Sequence, residues 1–175
     1  MYTQAIGTKM KCWSVIFVTL LSVLVVLVPV VQADEYAGRI VQHAQKTEMV
    51  EVGDVPGHTM GVIINTGLIF YTKGESKGEI DTTKSVYIFD LVNGKGTLIG
   101  KRASTSGDGS VRLISFKGTV TPSEGGKGSV TEGTYECTGG TGKYAGYKGT
   151  GTYKGGRVGT GGDSYADFTG NCMKQ

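Results

Sequence analysis

The chain is short of the side chains on which polar catalysis usually rests. Its 175 residues include two histidines, one tryptophan, three cysteines and three prolines. His43 and His58 both precede Gly74-Glu75-Ser76-Lys77-Gly78, which fits the G-x-S-x-G pattern of a hydrolase nucleophile elbow. That elbow needs a strand-to-helix turn and a histidine later in the chain. Neither is offered, so the serine reads as part of a polar turn. No Cys-x-x-Cys occurs, and no second cysteine or histidine lies close to either of the two later thiols to complete a tetrahedral metal set. Gly140 and Gly142 lack the βαβ setting and the third glycine of a dinucleotide loop, and Tyr144 stands where a phosphate loop needs Ser or Thr after Lys143. No metal and no cofactor is expected. A convincing helix of ten residues is also missing, which excludes the helical fold classes.

A charge excess of one sign is lacking once the N-terminus is set aside. Lys9 and Lys11 precede residues 12 to 31, an uncharged apolar run, and Val31-Gln32-Ala33 then supplies small residues around a cleavage point. Residues 1–33 are expected to be a cleaved export signal, with Met10 as a second sensible start. The alternative is an uncleaved anchor, since an apolar run of this length can span a bilayer. Membrane contact is expected only through such a leader. Beyond residue 33 the basic residues number sixteen and the acidic fifteen, a net charge of +1. Lys143, Lys148, Lys154 and Arg157 are too few for a nucleic-acid footprint, and a solvated surface is the simpler reading. The expected location is periplasmic or secreted.

What the chain has in abundance is glycine, 30 residues, with no collagen-like period. Between the glycines lie short runs of alternating apolar and polar residues. Residues 85–92 place Tyr87, Phe89 and Leu91 on one side and Val86, Ile88, Asp90 and Val92 on the other, as suits a barrel wall with a greasy interior and a covered exterior. Asn93-Gly94 then marks a tight hairpin, because both residues tolerate positive φ. Further strands are expected at 47–52, 58–66, 68–72 (a short strand or the second half of a bulged one), 96–104, 111–121, 130–138, 148–154 and 165–172. Residues 34–46 are expected to be an irregular arm and 47–175 the folded domain. The fold class is all-β: a single antiparallel barrel, or a sandwich, of about eight strands. Cys137 and Cys172 are the two cysteines beyond the leader, and in an oxidising compartment they read most simply as a disulfide. A metal site or a redox pair is the alternative.

Three stretches carry a family resemblance. Val52-Gly53-Asp54-Val55-Pro56-Gly57-His58, Asn93-Gly94-Lys95-Gly96, and above all Gly139-Gly140-Thr141-Gly142-Lys143-Tyr144-Ala145-Gly146 with Gly149-Thr150-Gly151-Thr152-Tyr153 resemble the bacterial allene oxide cyclase barrel-like proteins. These are grouped with plant allene oxide cyclases and dirigent proteins. The resemblance covers roughly residues 52 to 155. It implies an eight-stranded calycin-like barrel with an apolar cavity and, as often in the relatives, self-association into a homo-oligomer. No residue matches the polar groups those activities use, so no catalytic residue is carried over.

The residues expected to line a ligand site are Tyr87, Phe89, Asp90, Arg112, Phe116 and Tyr135. Arg112 shares a strand face with Ile114 and Phe116, and an internal Asp90–Arg112 ion pair is one reading. The blander reading sends such residues to strand ends or solvent. Asp54 and His58 form either a polar pair at a barrel mouth or, more simply, a turn cap beside a surface imidazole. The function expected is binding of a small apolar or lipid-like molecule. A cyclase-like or dirigent-like steering enzyme and a packed envelope protein without ligand are the alternatives.

Overall fold

Alternation with a period of two turns one row of side chains inward and the next outward along each strand, and here it continues around a closed sheet. The computed structural model describes residues 35–125, 128–159 and 161–175. The strands are β1 (Tyr36–Glu51), β2 (His58–Lys73), β3 (Ile80–Val92), β4 (Lys95–Thr105), β5 (Val111–Pro122), β6 (Ser129–Gly140), β7 (Tyr147–Arg157), β8 (Asp163–Gly170) and the two-residue β9 (Met173–Lys174). Each of the first eight pairs antiparallel with its neighbours in sequence, and β8 returns to β1, from Tyr36 opposite Gly170 to His43 opposite Asp163. The result is a closed eight-stranded up-and-down barrel, which leaves no free edge along its wall. The short β9 adds to the start of β7 outside that ring. Among the described residues no helix is long and apolar enough to cross a membrane. The expected leader, residues 1–33, lies outside the described residues.

One expectation is corrected at the N-terminus. Residues 36–46 of the supposed irregular arm are the first part of β1. Their inward row is Tyr36, Gly38, Ile40, Gln42 and Ala44, in which a glycine and an amide replace the apolar residues that would advertise a strand. Pairing on both sides, with β2 and β8, supplies the order that local propensity does not. The register shifts twice, at Gln45 on β1 between Ala44 and Lys46 and at Thr72 on β2 opposite Ala37 and Gly38, whereas β2 runs unbroken through Gly67. A side chain on Gly67 would collide with the Val41 carbonyl, so its absence lets the two strands stay in register.

Several hairpins follow the sequence directly. Asn93 and Gly94 have φ of 52° and 75°, the paired positive values of a type I′ turn between β3 and β4. The Gly-rich stretch from Tyr135 is β6, a 3-10 turn at Gly142–Tyr144 and β7. The expected disulfide is present between Cys137 and Cys172, whose Cα atoms are 6.0 Å apart across a separation of 35 residues. Both half-cystines are buried. Closing a loop of that size contributes about 3 to 4 kcal/mol on a chain-entropy basis.

The interior is layered. At one end, called here the base, Tyr36, Tyr71, Tyr135, Tyr144, Phe168 and the disulfide pack with Ile69 and Ile114. Tyr144, carried in by the 3-10 turn, is 1% exposed and meets Tyr147 edge-on at 5.4 Å. At the other end, the mouth, Ile63, Phe89, Leu98 and Val120 form a smaller apolar collar with Tyr87, Leu91 and Phe116 against it. Tyr87, Phe89 and Leu91 thus share the inner face of β3, as their alternation predicts. On its outer face Val86, Ile88 and Val92 are exposed, so the expected cover over that side is absent among the described residues.

Candidate functional site

Between collar and base the inward row turns polar. Gln42 on β1, Asn65 on β2, Ser85 on β3 and Arg102 on β4 meet Thr131 on β6 and Ser164 on β8 around a chamber of about 110 Å³. Tyr87, Phe116, Tyr135 and Tyr153 line the same space. It opens toward the mouth into a vestibule of about 580 Å³, walled by Phe89, Leu91, Val120 and Pro122 among others. Ile63, Tyr87 and Leu98 border both spaces, so chamber and vestibule lie next to each other with the collar between them.

The chamber holds polar atoms without partners. Gln42 donates from Nε2 to Ser85 Oγ at 3.0 Å. By contrast Asn65 Oδ1, Arg102 Nε, Tyr135 Oη and Tyr153 Oη have no hydrogen-bond partner. Asn65 and Tyr135 are each only 3% exposed. Arg102 lies over the Phe116 ring at 6.0 Å, and burial pulls its guanidinium below the ordinary value, although a guanidinium stays charged in any protein. Burial also pushes the Tyr135 phenol well up and that of Tyr153 to about 12, so both remain protonated donors. Tyr135 can reach the chamber because Gly151 and Gly170 leave room: a side chain on either would strike the Tyr135 ring or hydroxyl.

The base treats its own arginine differently. Arg112 is 2% exposed and its guanidinium sits 4.0 Å from the Tyr144 ring centre, 4.4 Å from Tyr36 and 5.2 Å from Tyr71. It donates from Nη1 to the Tyr36 hydroxyl and, at 3.3 Å, to the Tyr71 hydroxyl. Tyr71 in turn donates to Asp81 Oδ2 at 2.7 Å. Asp81 is wholly buried, and among the described residues it is the one buried carboxylate. Cation, phenol and carboxylate form a chain in which the buried positive charge finds its counter-charge one residue removed.

The six residues expected at a ligand site separate into three groups. Tyr87, Phe116 and Tyr135 line the chamber, and Tyr87 and Phe89 line the vestibule. Arg112 points inward but is enclosed at the base. Asp90 follows the blander reading: it faces outward on β3, with its side chain 52% exposed, and accepts from His58 Nε2 at 2.8 Å. No Asp90–Arg112 pair forms, because the two residues occupy opposite sides of the barrel wall. Asp54 does both things considered for it, accepting the Val55 N–H at 2.8 Å and approaching His58 Nδ1 at 2.5 Å. The Asp54–His58–Asp90 group therefore sits on the outer rim of the mouth, and it lines neither cavity. Its hydrogen bond to Asp54, then that to Asp90, raises the His58 pKa above the ordinary 6.5. Ser76 lies in the turn before β3, and no helix follows it.

The residues missed from sequence are Gln42, Asn65, Ser85, Arg102 and Tyr153. The available signal was parity: on β4 the inward row Leu98, Gly100, Arg102, Ser104 follows from Leu98 alone. The apolar Ile99 on the outer row, 56% exposed, concealed it. No family model, curated protein or solved structure matches this chain.

Proposed function

We propose that this protein is an exported carrier that holds a small apolar or lipid-like molecule in the open half of its barrel. The observation that supports this most is the adjacency, across the apolar collar, of vestibule and chamber, which share Ile63, Tyr87 and Leu98 as lining. Pockets for small molecules are typically apolar with a few convergent polar groups, and the collar and chamber supply that division. A barrel whose purpose was packing alone would fill this half as it fills the base. Export to the periplasm or beyond rests on the leader pattern and fits a disulfide, which persists in oxidising compartments.

The neutral fluorophore N-phenyl-1-naphthylamine tests the binding reading. Saturable enhancement by the delipidated, oxidised protein, together with a co-purifying small molecule by native mass spectrometry, is the expected result. No enhancement and no bound molecule would reject it. N-terminal sequencing of exported protein checks the leader: a start near Asp34 is expected, and an intact Met1 or Met10 would overturn cleavage.

The resemblance to allene oxide cyclases supports a second reading, in which the chamber steers a reactive fatty-acid epoxide. The observation in its favour is the set of unpartnered phenols and the guanidinium in a confined space, which could orient such a molecule without a dedicated base. Equal product chirality with and without protein would eliminate it.

A further inference from the structure

We propose that the chamber selects an aliphatic carboxylate, with Arg102 as the counter-ion of its headgroup and the tail lying through the collar toward the mouth. The inference rests on the carrier reading above and specifies its ligand class. It begins with the charges inside the barrel. Arg112 reaches the buried Asp81 through Tyr71, whereas Arg102 has no carboxylate ion partner among the described residues. The half-buried Arg102 and the more exposed Arg157 both border the chamber, and no acid is among its lining residues, so the space carries an unmatched positive charge. A desolvated cation without a partner is costly, and proteins keep such groups where something is to be bound.

The hydrogen-bonding inventory points to the same class. Arg102 Nε, Tyr135 Oη and Tyr153 Oη are donors without acceptors among the described residues, and all three residues line the chamber. The two phenols feel the Arg102 charge, which opposes the rise that burial causes in them. A carboxylate only accepts, and its two oxygens match a guanidinium edge. An alcohol or an ester would leave the charge unmatched, and an ammonium would be repelled. Asn65 Oδ1 is the exception, an acceptor without a donor.

The tail has a defined exit. Ser85 beside the chamber and Leu91 in the vestibule are both inward on β3, roughly 20 Å apart along the strand. An alkyl chain anchored in the chamber would run along that line between Ile63, Phe89 and Leu98. The small chamber suits a headgroup and the larger vestibule a tail, which fixes the direction of binding with the acid innermost.

Competition of dodecanoate, dodecanol and dodecyltrimethylammonium against N-phenyl-1-naphthylamine, on delipidated oxidised protein at neutral pH, separates the claims. Dodecanoate is expected to bind about tenfold or more tighter than dodecanol, with the cation weakest. Arg102→Gln should remove that preference, bringing dodecanoate and dodecanol to similar affinity, and Arg102→Lys should keep part of it. Equal competition by acid and alcohol on the unaltered protein overturns the carboxylate inference and leaves the carrier reading standing. No binding of the fluorophore or of any competitor overturns both. Should Arg102→Gln not fold, Tyr135→Phe serves instead: a smaller loss confined to dodecanoate supports the inference, and equal losses for acid and alcohol count against it.

Discussion

Arg112 and Arg102 occupy the same inner wall of one barrel under opposite conditions. Around Arg112 stand tyrosine rings at contact distance, a phenol that passes its charge to Asp81, and a disulfide-bound floor. Around Arg102 stand unpartnered hydroxyls and open volume. The difference shows that a buried cation can serve two ends in one fold. Arg112 keeps an unpartnered Nε yet has aromatic and phenolic partners built in, whereas the half-buried Arg102 has no polar partner among the described residues and, on the proposal above, awaits a counter-charge from outside.

The largest effect expected from breaking this contrast is at the base. Arg112→Ala should cost about 3 to 5 kcal/mol in urea unfolding, because it strands Asp81 and two phenols in a dry interior. A loss under about 1 kcal/mol would show that the tyrosine enclosure adds little to stability. Next comes the bridge: reduction, or Cys172→Ser, should lower stability by about 3 to 4 kcal/mol. Its effect on occupancy of the mouth should be slight, checked by fluorophore titration of whatever fraction remains folded.

Smaller, and opposite in sign, is the effect at the chamber. Arg102→Leu should leave the empty protein as stable or raise its stability by about 1 kcal/mol, since an unpaired charge is exchanged for apolar surface. Destabilisation comparable to that of Arg112→Ala would mean the two arginines play the same role.

The smallest effect belongs to the rim. His58 is raised by Asp54 and then Asp90, so its stabilising share is complete below the ordinary histidine value of 6.5 and is lost as pH climbs through the elevated one. Asp54 is lowered, chiefly by its hydrogen bond to His58, so its share is complete above 3.8 and is lost as pH falls through the depressed value. The rim should therefore hold best between 3.8 and 6.5. An NMR titration of the His58 ring should give a midpoint above 6.5 that falls in Asp54→Asn. An unchanged midpoint would remove Asp54 as its cause.

The same contrast explains how much could be read from the chain. Residues 85–92 alternate cleanly, Asn93-Gly94 demands a tight turn, and Cys137 and Cys172 have only each other beyond the leader. From these the barrel and its bridge were legible. The chamber was not, because its lining inverts the rule by which strands are recognised. Arg102 faces in while Ile99 faces out at 56% exposure, and Gln42 and Gly38 interrupt the inward row of β1. Phe89, Phe116 and Tyr135 could be foreseen because apolar residues inside a barrel are the default. For Asp90 the alternation left two readings open, an inner ion pair or solvent, and the exposed outer face of β3 matches the second.

The bridge from Cys137 on β6 to Cys172 beyond β8 passes across β7, and the two residues after it pair with the start of that strand. Three staves of the wall are thereby hooped together at the floor, and none at the lip. At the rim β1, β2 and β3 meet the solvent through exposed ion pairs. For the carrier proposed above, the lip is therefore the expected way in and out, past the collar, while the bridge ties the floor.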